Sequence, residues 1–169
     1  VLKFDRTRAD FELHSTLAQR TVLGLQKLSD QIKDLPKSWG RPIAGINADF
    51  YVTDQGAYIG DPRGLQVLEG EVVSAPTDGA SFWIDPSGQP RIGNVASQWR
   101  VTWSDGSMTP IGLNEERGNA TAVLYTPRLG SSTRNRGGGL ELVLEPAGEG
   151  RWLPLQLGQN YTAKVRDIR

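Results

Sequence analysis

Asn47 and Asp49 stand two residues apart where an apolar run ends, in "GRPIAGINADFYV" over residues 40–52. An amide there could bond a hydroxyl or position a water, and a carboxylate could accept from hydroxyls or serve as a base. On a regular strand the two side chains point to opposite faces, so both reach one pocket only if the chain kinks after Asn47. The competing reading is an Asx turn, in which both groups hold neighbouring backbone. Phe50 and Tyr51 follow directly, either as rings that stack on a sugar or as core.

The next loop, "TDQGAYIGDPRG", brings Arg63, whose guanidinium could fork onto a phosphate with loop N–H groups beside it. Its alternative is an exposed ion pair with Asp61. Asn114 and Arg117 in "LNEERGN" read either as ligand-binding groups or as a polar turn. Arg134 and Arg136 lie in a Gly-rich loop and are expected to reach solvent. His14 is the only histidine and cysteine is absent, which removes the usual transition-metal and triad constellations. His14 is expected on a half-exposed strand. Asp49, Asp54 and Asp61 do not follow EF-hand spacing. No metal or cofactor is expected. The sequons at Asn119 and Asn160 matter only in a eukaryotic secretory setting.

The elements that must position these groups are mostly strands. Twenty glycines and ten prolines punctuate short apolar runs over 169 residues. Strands are expected in "VLKFDR", "DFELHSTL" and "RPIAGI", the last buried on both faces. "LQVLEGEVVSAP" reads as two strands bent at Glu69-Gly70. "SFWIDPSGQPRIGNV" and "QWRVTWSDGSM" read as hairpins, with Trp99, Val101 and Trp103 on one face. "NATAVLYTP" and "LELVLEPA" are strands with residues 130–139 as a long hairpin tip, and "RWLPLQLGQNYTAKVRDIR" adds two more. Val22, Leu25, Leu28, Ile32 and Leu35 recur at helical spacing. They predict one amphipathic helix over 21–35, capped by Thr21 and closed by Pro36. The fold class is α+β, mainly antiparallel sheet, in a single domain over residues 1–169.

Nineteen basic and nineteen acidic residues cancel, so no field attracts nucleic acid or an anionic membrane. No apolar run approaches the roughly 20 residues of a membrane span.

Asn47-Ala48-Asp49-Phe50-Tyr51 resembles the strand-end element of the phosphodiester glycosidase family. "DPRGLQVLEGEVVSAP", "SFWIDPSGQPRIGN" and "IGLNEERGNATAVLYTPRLGSSTRNRGGGLELVLEP" are similar to later family elements in the same order, and "TVLGLQKL" sits where members carry a short helix. Members continue into an Arg-Thr element, an Asp-Gly-Arg segment and an Asp-Gly-Gly-Gly-Ser-Ser loop, none of which occurs here. Gly137 to Gly139 lack the preceding Asp and the following Ser pair. The resemblance therefore covers the N-terminal half of the family domain. It implies part of an exported (secreted or periplasmic) hydrolase of glycosyl phosphodiesters or related glycans, inactive by itself. Asn47 and Asp49 would be catalytic, and Tyr51, Arg63, Asn114 and Arg117 would bind a glycan or sugar phosphate.

Such a substrate suits the residues. Its leaving group is a phosphate monoester, stable as an anion, so phosphate-binding donors matter more than a strong acid. The alternative is a non-catalytic carbohydrate-binding or structural domain using Trp83, Trp99 and Trp103. Unpaired sheet edges would also let copies of the chain associate.

Overall fold

The computed structural model describes Lys3, Asp5 and residues 10–96 and 98–169. Among the described residues nine strands carry the fold: β1 Gln66–Leu68, β2 Glu71–Ser74, β3 Gly79–Ile84, β4 Pro90–Val95, β5 Arg100–Thr102, β6 Met108–Leu113, β7 Ala122–Leu124, β8 Leu142–Pro146 and β9 Ala163–Ile168. The pairs β1–β2, β3–β4, β5–β6 and β8–β9 are antiparallel, and β6–β7 is parallel. Among the described residues one short α-helix, α1 Leu28–Lys33, accompanies them with two 3-10 turns at Ala18–Arg20 and Lys37–Trp39. The class is the α+β, mainly antiparallel arrangement that the turn spacing predicts.

Turn chemistry explains the hairpins. Glu69 and Gly70 both have positive φ, 51° and 81°, which joins β1 to β2 through the two-residue turn whose twist matches paired strands. Asp85 organises the β3–β4 turn by accepting from Ser87 N–H, Ser87 Oγ and Gln89 N–H, and Arg91 Nε donates to its other oxygen. Asp105 repeats part of this at the β5–β6 turn with Ser107.

Strand β2 is the centre of the molecule, buried along its whole length. Its alternating side chains feed two cores. Val73 joins Val22, Leu23, Tyr58, Leu68 and Leu129, whereas Val72 joins Ala75, Leu113 and Leu155. Each valine, fully buried, contributes about 1.5–3 kcal/mol.

Several expected elements differ. The helix spans six residues rather than 21–35. Thr21 does not cap it but donates its hydroxyl to the Leu23 carbonyl. Val22 and Leu23 leave the helical stripe for the core, with Val22 N–H donating to Arg128 O and Gly24 N–H to Ile59 O. Gly24 (φ 116°) and Gly60 then pass so closely that a Cβ on Gly60 would collide with the Gly24 carbonyl oxygen. Residues 41–46 are not a buried strand. They are exposed and unassigned to any sheet, and among the described residues they make no backbone hydrogen bond.

The run 10–17 is likewise irregular. His14 stacks on Trp39 with ring centroids 4.1 Å apart instead of lying on a strand. The strand expected at 1–6 falls outside the described residues except at Lys3 and Asp5. Loop 130–139 is not a hairpin tip, since β7 and β8 do not pair. The C-terminal stretch gives one strand, β9, because Leu155 is drawn into the core and accepts from Val72 N–H. Among the described residues, no helix is long and apolar enough to cross a membrane.

Candidate functional site

The Asn47–Tyr51 element and the "DPRG" loop are clipped together. Tyr51 and Pro62 form an antiparallel bridge. Arg63 N–H donates to Phe50 O at 2.8 Å, Val52 N–H to Asp61 O at 2.9 Å, and Gly60 N–H to Val52 O at 2.8 Å. The loop is then tied to the core sheet, with Ser74 Oγ donating to Pro62 O and Thr77 Oγ1 to Arg63 O.

Asn47 is exposed, along with Asp49, Phe50 and Tyr51. Asp49 accepts from Phe50 N–H at 2.7 Å, the local backbone bond of the turn reading. Its carboxyl also lies over Gly64, where an added Cβ would meet both oxygens at 3.7 and 3.8 Å. Desolvation there holds the Asp49 carboxyl above the usual carboxylate range, with the Phe50 N–H acting in the opposite sense.

Asp61 is the residue whose environment departs furthest from its type. It is 7% exposed, and no hydrogen bond or ion pair to its carboxyl is found among the described residues. The anticipated ion pair with Arg63 is not formed, although the guanidinium is near enough to oppose the shift. Burial, reinforced by the charge of Glu115, pushes the Asp61 carboxyl up to about 7. Glu115 folds back over Gly112 and is also raised by burial. Arg63 is exposed beside this pair. A half-protonated, unpaired carboxyl beside a free cation is a common mark of a functional site. The sequence signal was only the Asp-Pro-Arg-Gly spacing.

Asn114 is placed differently. It is fully buried, and its amide donates to Val73 O and Thr126 Oγ1, both at 3.0 Å, while its oxygen accepts from Thr126 N–H at 2.8 Å. Every one of these partners is internal, so the side chain joins strands rather than facing a ligand. Arg117 donates to Gly138 O at 2.9 Å and lies against Gly139, pinning loop 130–139. The same loop is held by Thr133 and Asn135, which donate to Glu141, by the Tyr58 hydroxyl on Thr133 O, and by Arg134 on Ala57 O. Arg134 thus bonds a neighbouring loop as well as meeting solvent.

Asp49, Asp61 and Arg63 are brought to one junction. Tyr51 borders it through its bridge to Pro62, whereas Asn47 makes no contact there among the described residues, Asn114 joins interior strands and Arg117 pins loop 130–139. Among the described residues, no three histidine or carboxylate side chains converge at metal-binding distance. Trp99 packs against the second core, while Trp83 and Trp103 stay partly exposed on separate hairpins. Comparison of the chain with protein-family models, with curated proteins and with solved structures gives no match.

Proposed function

We propose that this chain is the N-terminal portion of an exported hydrolase of glycosyl phosphodiesters, supplying the anion-holding and proton-holding side of its site. The reading rests on the family resemblance of the Asn47–Tyr51 element. The observation that carries it is Asp61, a residue 7% exposed whose carboxyl makes no hydrogen bond or ion pair among the described residues and still meets solvent, beside the exposed Arg63 guanidinium on a loop clipped to that element.

In this account Arg63 and neighbouring loop N–H groups hold the phosphate. Water attacks the anomeric carbon and gives its proton to the Asp49 carboxylate. The bond from that carbon to the phosphate oxygen breaks, and the electron pair leaves with the phosphate monoester. Asp61 donates its proton as the phosphate departs, which lowers the charge left in a partly dry site. Asn47 and Tyr51 contact the sugar. Turnover requires in addition the Asp-Gly-Gly-Gly-Ser-Ser loop of the family, which these 169 residues lack.

The second reading, a glycan-binding domain without chemistry, draws on the exposed Trp83 and Trp103 rings. The two separate in a titration of the chain with a sugar 1-phosphodiester. A phosphate-directed site predicts that Arg63→Ala weakens binding at least about tenfold. Equal affinity for both proteins would favour the ring-based reading.

A further inference from the structure

From Gly40 to Phe50 the chain runs without a turn or bend. Among the described residues, no backbone hydrogen bond is made by residues 41–49. The segment touches α1 at Gly45, where a Cβ would lie 2.9 Å from Ile32 Cδ1 and 3.5 Å from Leu28 Cδ1, while Ile43 on the same alternation is 61% exposed. The other side is open, with Ile46 70% and Phe50 82% exposed. Eight unpaired N–H groups (Pro42 has none) beside exposed apolar side chains leave this segment open to pairing with another chain.

We propose that two copies of this chain pair through residues 41–49 as an antiparallel ribbon with its twofold axis at Gly45. Two observations favour a second copy as the occupant and set the register.

The first is charge. Centring on Gly45 places Arg41 opposite Asp49 of the second copy, and the symmetry makes that pair twice. Among the described residues, neither side chain has an ion pair of its own. Centring one residue either way sets Arg41 against Asn47 or Tyr51 and loses both pairs.

The second is hydrogen-bond parity. With Gly45 facing Gly45 as a bonded pair, Pro42 falls opposite Ala48 in a non-bonded pair, where no N–H is needed.

The ribbon shares Asn47 and Asp49 with the proposed substrate site, so the pairing is tested by mass without ligand, apart from the reaction.

Light scattering on the whole chain at about 100 µM tests it, a concentration at which a micromolar dimer is filled. The expected mass is twice 18.5 kDa. Arg41→Glu and Asp49→Lys should each weaken the dimer about tenfold, and the two together should restore it. A monomer at that concentration, or a double variant no tighter than the singles, would overturn the proposal.

Because the chain has no cysteine, a second measurement reads the register without disturbing charge. Ala44→Cys mixed with Ile46→Cys should oxidise to the mixed disulfide in preference to either self-pair, since only 44 and 46 lie opposite one another. Equal cross-linking in all three samples would exclude this register.

Discussion

Asn114 and Thr126 hold each other by two bonds: Thr126 N–H donates to Asn114 Oδ1 at 2.8 Å, and Asn114 Nδ2 donates back to Thr126 Oγ1 at 3.0 Å. The pair closes the ends of the parallel strands β6 and β7, which only residues 114–121 connect. Parallel neighbours ordinarily need a crossover of a dozen or more residues. Here the left-handed φ of 54° at Asn114 turns the chain at once, and the side chain bonds of the same residue hold the turn.

Asn114→Ala removes those bonds and leaves Val73 O and Thr126 N–H without their partner in the interior. A loss of about 2–4 kcal/mol is expected from the stranded groups and the strained φ. Urea unfolding followed by tryptophan fluorescence measures it. An unchanged midpoint would contradict the bracing role.

Asp61 predicts a pH dependence with a definite sign. Its folded-state value, about 7, lies above the ordinary value of about 3.9 for an unfolded Asp. The folded chain therefore binds the proton more tightly. The stability this contributes is complete below about pH 4 and is lost as pH rises toward 7. Asp61→Asn should flatten that slope and stabilise the chain at pH 8 by on the order of 2 kcal/mol. Parallel stability curves for the two proteins from pH 4 to 8 would refute the assignment.

Arg128 Nε donates to Glu71 Oε2 at 2.6 Å, and the Glu71 side chain is 7% exposed. Replacing the arginine by methionine leaves that carboxylate buried and unpaired on the central strand. A cost of about 3–5 kcal/mol follows, and adding Glu71→Gln should recover part of it. Thermal unfolding of the single and double variants decides, and additive losses would be the contrary result.

The β3–β4 hairpin should loosen in acid. Ser87, the backbone N–H of Gln89 and Arg91 hold the Asp85 carboxyl down to about 2. The contribution of the turn is present above the unfolded value near 4 and is lost as pH falls through about 2. Amide exchange at Gly88 and Gln89 should rise over that window. In Asp85→Ala it should already be fast at pH 6, and slow exchange in that variant would argue against the role of the carboxylate.

The hairpins were legible because their turn residues sit next to the strands they join: Glu69-Gly70, Pro86-Ser87-Gly88 and Asp105-Gly106 act within a few residues. The helix start was not, because Val22 and Leu23 keep helical spacing yet are claimed by Tyr58, Leu68 and Leu129. Residues 41–46 show what apolar patterning can mean. It signals a need for cover, yet α1 meets the segment at Gly45 and leaves Ile43 and Ile46 exposed. Asn114 read as part of a polar turn because its partners Val73 and Thr126 lie 41 and 12 residues away. Asp61 gave no sign of its burial, which arises where the 52–64 loop folds against the sheet.

The central claim is that the Asp61–Arg63 loop receives the phosphate of a glycosyl phosphodiester. The most direct measurement follows the backbone amide resonances of the chain while a sugar 1-phosphodiester is added, with the matching neutral methyl glycoside as the second arm. The account predicts saturable shifts centred on Asp61, Arg63 and Gly64 for the diester, and binding at least about tenfold weaker for the glycoside. Indifference of those residues up to about 10 mM diester, or equal responses to both ligands, would contradict it.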